Sequence, residues 1–485
     1  MTETPLVAEL QQVCHVDRRH DLLVWTTPKH GQVGQIELDK VLFILDLSKS
    51  EGATIPHFVV CCLKEKTDES AAHAFQLLLL STDAVPHALQ AEYQLKQMPT
   101  HLCGPVDAVV STKSGLGQAL AFWETVLLPL WKLVGEAFGT RGQPDKVFVT
   151  QNANSVRQFA RHAHLDADQE QQHTATSRTI LLLSGDGGVV DLLNGREQDD
   201  TRPVPTVALI PLGTGNALFH SLHKPVVSNS GSSYLLVALR TLFFGIAAPL
   251  PVFKASFSPG SRIVTSAEQL GKTDDEARTI REHAAVSSLY GAIVASYGFH
   301  ASVVYESDTP EYRVHGDKRF GMVAADLLRQ SHPYRAKLLI QRQGSLELER
   351  EPDETHGYVL VTMVSNLERT FNISPASKPL DGQLRLIRFG RLGGDRTMDV
   401  MMKAYDGGKH VGMKWDDGKS VEYEGVQEVV VEALDDEARW RKFCIDGTIV
   451  DVPVCGSMTV AKVQGPEMLR VLVDGRVLEA PSAAE

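Results

Sequence analysis

The chain has 485 residues, 43% hydrophobic and 22% charged, the balance of a soluble globular protein with room for two or three domains. A formal net charge of −12 argues against general nucleic-acid binding and against nonspecific adhesion to an anionic bilayer, so any membrane contact is local. The six cysteines have no CxxC spacing, which indicates neither a zinc site nor a disulfide framework and fits a reducing compartment.

The N-terminal MTETPLVAELQQ carries acids where a signal peptide would be basic, and no apolar stretch follows it. Residues 1–100 then read as a β-rich domain. DLLVWTT, QIELDKVLFILDL, HFVVCCLKE and FQLLLLS are strand-like, and ALQAEYQLKQM reads as a closing helix.

Residues 101–228 read as an α/β domain. Val106–Val110 is an apolar strand that ends in Ser111-Thr112-Lys113-Ser114-Gly115-Leu116-Gly117, a glycine turn whose N–H groups can wrap phosphate. A long helix, AFWETVLLPLWKLVGEAF, follows, with a break or kink expected at Pro129. Lys146–Val149 is a strand ending at Thr150, and SVRQFARHAH is helical. His162, His164 and His173 read as solvent-facing residues, because no further ligand recurs at metal-binding spacing. Thr179–Leu183 is a buried strand that stops at Ser184-Gly185-Asp186-Gly187-Gly188, where the helical spacing of VVDLLNG begins. A second copy follows: TVALI, then Pro211-Leu212-Gly213-Thr214-Gly215-Asn216, then the helical ALFHSL. Ligands of open α/β sheets bind beyond the carboxyl ends of the strands, and free N–H groups at helix starts favour anions. Two adjacent glycine loops therefore make a phosphate-sized cradle, with Asp186 the carboxylate inside it.

SNSGSS (228–233), read as a flexible break, leads into residues 229–485, which open with an apolar helix. The apolar stretch 234–253 is interrupted by Arg240, Pro249 and Pro251, so it is a helix and then a strand rather than a membrane span. A polar insertion is expected near 258–284. Strand-like runs dominate from there to MLRVLVDG, which predicts a β-sandwich. Asp474-Gly475 reads as a hairpin turn. Gly412–Ser420 mimics a Walker A loop but has five residues between its glycines where that motif has four, and no helix follows it.

SGDG with VVxxxNG, followed by IPLGTGNAL, resembles the catalytic domain shared by diacylglycerol kinases and sphingosine kinases. Ser184 in SGDG and Ala217 in GTGNA lean to the sphingosine and ceramide kinase branch. The resemblance implies an α/β nucleotide-binding domain of NAD kinase/diacylglycerol kinase type, a C-terminal β-sandwich that holds lipid, and a β-rich N-terminal domain similar in pattern to pleckstrin-homology modules. It implies an ATP- and Mg²⁺-dependent lipid kinase that phosphorylates a primary hydroxyl of a sphingoid-type lipid. Such an enzyme is expected to be cytoplasmic and peripherally membrane-associated. Asp186 is the implied general base. Ser111, Thr112, Lys113, Gly115, Gly117, Thr150, Ser184, Gly185, Gly187, Gly213, Thr214, Gly215, Arg313, Arg319, Asp446 and Gly447 are implied to hold the nucleotide, and Phe299 and Asp308 the substrate. No metal ligand is assigned; Asp191 reads as a helix-face residue that could reach Mg²⁺ through water.

Departures keep other readings open. Ser111-Thr112 replace the family's Asn-Pro, and Thr448 replaces a Glu. His300–Val304 stands where sphingosine kinases place acids, one of which holds the substrate's amino group. A buried ammonium without a carboxylate would be costly, so ceramide or diacylglycerol is an alternative acceptor. An NAD kinase and a non-catalytic lipid-binding pseudokinase are the remaining alternatives.

Overall fold

The computed structural model describes residues 10–28, 31–48, 58–65, 74–162, 177–196, 203–230, 232–266, 281–316 and 318–479. Cys14–Arg19, Leu22–Thr26 and Val33–Glu37 form one small N-terminal sheet. Leu10–Gln12, Phe75–Thr82, Phe58–Glu65 and Val41–Asp46 form another, and the helix His87–Tyr93 follows. Strand alternation gives the second sheet two apolar faces. Ile44, Val60 and Cys62 meet Leu23, Trp25 and Leu89 in a local core. Phe43, Leu45, Val59 and Cys61 face the other way, into the core of the rest of the molecule. There Phe43 meets Phe243 with ring centroids 4.7 Å apart, and Phe75 meets Phe122 at 4.9 Å.

The α/β layer is built on four parallel strands: β1 (Val106–Val110), β2 (Lys146–Val149), β3 (Thr179–Ser184) and β4 (Thr206–Pro211). β1 and β3 are buried along their whole length, Asp107 of β1 being paired with Arg178, whereas β2 is an exposed edge. The chain returns to this sheet from the far C-terminus. Arg470–Val473 pairs parallel to β4, and Ile246–Pro249 lies outside it. MLRVLVDG thus completes the α/β sheet and not the sandwich expected to contain it. Helix α1 (Asp186–Gly195) follows β3 directly, and helix α2 (Ala217–Ser230) follows β4 after the glycine loop. The break expected at Pro129 takes the form of a π-helical stretch, Trp123–Leu127, ahead of Leu128–Phe138. Proline has no N–H to donate back along the helix, and the wider turn absorbs the misfit.

Among the described residues thirteen strands make the C-terminal sheet. Thr355–Thr362 and Glu422–Ala433 each pair with both Tyr334–Arg342 and Leu384–Gly390. This closed circuit turns the sheet back on itself, so two layers form within one hydrogen-bonded network. The insertion near 258–284 has paired arms, Arg262–Ser266 against Arg281–Ala285; residues 267–280, like His164 and His173, lie outside the described residues. Helices α3 (Phe299–Ser307), α4 (Lys318–Gln330) and α5 (Gly394–Tyr405) punctuate the sheet. Asp474 starts a short helix, Gly475–Leu478, by accepting the Arg476 N–H at 3.0 Å. An Asp at that position caps a helix as readily as it turns a hairpin. The Walker-like Gly412–Ser420 is a tight turn, with the Trp415 N–H donating to the Lys419 carbonyl at 2.9 Å.

Candidate active site

The loops after β1, β3 and β4 converge at the carboxyl edge of the parallel sheet. Their meeting is a backbone contact between glycines. A Cβ on Gly213 would stand 2.3 Å from the Gly185 Cα, and one on Gly115 would stand 2.5 Å from the Leu212 carbonyl oxygen. No side chain fits at either point. Asn216, held at φ +49°, ties its own loop: its Oδ1 accepts the Gly213 N–H at 3.0 Å and its amide donates to the Gly213 carbonyl at 2.9 Å. It belongs to the constellation although sequence reasoning left it out. Its signal was the GTGN turn, since Asn tolerates the left-handed region better than most residues.

The loop after β1 is fastened by hydroxyls. The Thr112 N–H donates to Thr150 Oγ1 at 3.1 Å, and Thr112 Oγ1 donates to the Thr150 carbonyl at 2.9 Å. Ser114 Oγ donates to Ser111 Oγ at 2.7 Å and sits 3.2 Å from Ser184 Oγ. Thr150 and Ser184 are buried and shape the cradle from behind, while Lys113, Gly115, Gly117, Gly187 and Thr214 are exposed on its rim.

Asp186 stands at the centre. Its Oδ2 accepts the Ala217 N–H at 2.8 Å and its Oδ1 the Leu218 N–H at 3.1 Å, so it also caps helix α2. Burial raises its pKa, with those two N–H groups opposing the rise. A fully buried carboxylate lies within electrostatic range of it. Asp446 opens the two-residue turn Asp446-Gly447, both at positive φ, between Lys442–Ile445 and Thr448–Asp451. Its carboxylate accepts the N–H groups of Ala292, Ile293 and Val294 at 2.5 to 3.2 Å. Burial pushes Asp446 up to about 7, Asp186 adds to the rise, and the three N–H groups oppose it. The cradle is therefore closed on one side by the C-terminal sheet. Asn194 of α1 reinforces the joint, accepting the Tyr290 N–H and donating to the Tyr290 carbonyl, both at 2.8 Å. Lys224 of α2 donates to Asn366 Oδ1 at 3.0 Å on the other side. Neither tie was foreseen, because each joins residues 96 or more positions apart.

Asp191 does not face the cradle's centre; it pairs with Arg157 at 3.4 Å, and burial raises it to about 6 against that attraction. Arg313, Arg319 and Asp308 form their own cluster. Arg313 is bound to Asp308 through Nε at 2.8 Å and through Nη2 at 2.6 Å. Arg319 lies with its guanidinium 4.7 Å from the Phe320 ring centre; burial lowers its pKa, which Asp308 opposes. Phe299 begins α3 inside the main core. Among the described residues no group of three or more His, Cys, Asp or Glu side chains forms a metal cage.

The family described as the diacylglycerol kinase catalytic domain matches residues 110–243, the segment holding β2, β3 and β4 and both glycine loops. The match supports the diacylglycerol kinase superfamily, and a kinase function of that type, for this part of the chain. Curated protein sequences contain no match. Among solved structures the chain is similar to a diacylglycerol kinase from Bacillus anthracis str. Sterne, at 14% identity over 77% of this chain and 98% of that one, with a TM-score of 0.45. It is also similar to yeast NADH kinase complexed with NADH, at 10% identity over 79% of this chain and 89% of that one, with a TM-score of 0.32.

Proposed function

We propose that the protein is an ATP-dependent lipid kinase that transfers the γ-phosphate to a primary hydroxyl of a sphingoid-type lipid. The observation that carries this reading is a half-buried carboxylate, Asp186, set between two glycine loops in backbone contact. Phosphoryl transfer asks chiefly for positioning and charge stabilisation, with a base near the attacking hydroxyl. The exposed backbone at Gly187, Thr214, Gly115 and Leu116 is suited to phosphate oxygens. Asp186, its pKa raised by burial, is suited to accept the hydroxyl proton. Mg²⁺ accompanying the nucleotide would be held by phosphates, water and Asp186, a cation of this kind usually taking one or two carboxylates; Asp446 has both oxygens engaged by backbone N–H groups and is not available to it.

The ion pair between Asp308 and Arg313 bears on the acceptor. With that carboxylate engaged, and Val303-Val304 where a substrate-binding acid would stand, a neutral acceptor such as an N-acylated sphingoid alcohol is favoured over a free amine. The test is transfer of labelled γ-phosphate from Mg·ATP to sphinganine, phytosphingosine, ceramide and diacylglycerol in mixed micelles. Label on one lipid names the substrate. No label on any lipid, with none on NAD, would overturn the kinase reading in favour of a binding protein.

A further inference from the structure

Helix α5 turns Thr397, Val400 and Ala404 inward, where they are buried. Met398, Met402 and Tyr405, at i, i+4 and i+7, share another face and are 40%, 57% and 43% exposed. Four of the chain's ten methionines fall within residues 398–413. The basic side chains on and just after this helix are spent locally, while its Asp395 and Asp399 are exposed beside the stripe. Arg396 pairs with Asp417 at 2.6 Å and lies over the Trp415 ring, while Lys403 and Lys409 reach Asp406 at 3.8 and 2.9 Å.

The stripe leads to the candidate active site. The Tyr405 ring lies 4.8 Å from that of Phe371, and its hydroxyl donates to Glu368 at 3.2 Å. The loop between them closes on itself, the Leu367 N–H donating to the Phe371 carbonyl at 3.1 Å. At its other end a Cβ on Gly215 would stand 3.3 Å from the Leu367 carbonyl oxygen and 3.6 Å from Asp186 Oδ2.

We propose that this face of α5 seats the protein on a lipid bilayer, with Met398, Met402 and Tyr405 entering the headgroup boundary. Such a seat presupposes the lipid-kinase reading above and supplies the surface from which an acceptor would enter. A bilayer is favoured over a second copy of the chain because three side chains fall far short of the roughly 1,000 Å² that a stable protein interface buries. Tyr beside long unbranched apolar chains suits a boundary that is wet on one side and oily on the other. With its local basic groups paired, the acidic Asp395 and Asp399 beside the stripe and a net charge of −12, the face offers nothing to anionic lipid, and the protein is held by apolar burial.

The test is co-sedimentation with phosphatidylcholine vesicles, without ATP, at low and high salt. Wild type is compared with Met398→Glu/Met402→Glu and with Leu346→Glu, a change at a 95% exposed leucine on a separate turn. Wild type and Leu346→Glu are expected to bind with little salt dependence, and the double variant to lose about tenfold or more in partitioning, since charges at the boundary oppose insertion. Equal binding by the double variant, a requirement for anionic lipid, or a wild-type dimer that the double variant dissolves would each overturn the proposal. Turnover of a short-chain, water-soluble acceptor is read separately and is expected to be unchanged in the double variant. Vesicle binding lost in the double variant, with no turnover of any acceptor by wild type, would overturn the kinase reading and leave the docking face standing.

Discussion

Asp446 is the residue whose chemistry departs furthest from its sequence appearance. An Asp-Gly pair between strands is ordinarily an exposed hairpin turn, yet here the Asp carboxylate points inward onto three backbone N–H groups and toward Asp186. Its folded pKa of about 7 lies above the usual carboxylate value, so the folded state holds a proton that the unfolded chain has released. The resulting stability is fully present below about pH 4 and is lost as pH rises through about 7. The stability of wild type to thermal unfolding should therefore fall between pH 5 and pH 8, by a few kcal/mol at most. Asp446→Asn, which cannot ionise, should show a flatter profile over that range. Parallel profiles for the two proteins would mean that Asp446 does not titrate there. The presence of Asp186 in a glycine loop was legible in the sequence because the loop is a local signal. Its bonds to Ala217 and Leu218, 31 and 32 positions later, were not, since they depend on two loops meeting in space.

At the scale of elements, the glycine loops separate a packing role from a binding role. Gly187, in the first turn of α1, has open space where a Cβ would stand, whereas Gly213 has the Gly185 Cα there. Gly187→Ala should keep the fold, or gain about 0.5–1 kcal/mol from the better helix former. It should still weaken nucleotide binding if phosphate passes over that surface. Gly213→Ala should cost about 1–3 kcal/mol by forcing the loops apart. Calorimetry with nucleotide titration reads both; a Gly187→Ala protein with wild-type nucleotide affinity would remove α1 from the phosphate site. The strands of this layer were legible from apolar runs bounded by glycine. Helix α5 was missed, although Thr397, Val400 and Ala404 have helical spacing. Its exposed methionines blur the amphipathic contrast that marks a surface helix.

Over the whole molecule, one hydrophobic core runs through all three regions. Phe43, Cys61 and Leu79 of the N-terminal sheet share it with Phe122, Phe243, Tyr297 and Phe443. Arg240 adds a polar tie, donating to the Val41 carbonyl at 3.0 Å. Removal of residues 1–100 should therefore uncover apolar surface and give a protein that aggregates or unfolds at markedly lower temperature than the full chain. A truncated protein as soluble and heat-resistant as the full chain would show the N-terminal region to be a detachable module. Runs and motifs read along the chain suggested three parts in order and did not foresee the return of Arg470–Val473 to the α/β sheet. An apolar strand near the C-terminus reads alike in either sheet, and only its parallel pairing with β4 assigns it.

The central claim is that Asp186 serves as the base of a phosphoryl transfer in a cradle made by the two glycine loops. The most direct measurement is the turnover of Asp186→Asn on whichever lipid wild type labels, with nucleotide affinity measured on the same preparation. Turnover lower by about a hundredfold or more, the size expected for a lost positioned base, with nucleotide affinity largely kept, is the predicted result. Wild-type turnover in the variant would contradict it and leave Asp186 as the cap of α2 alone.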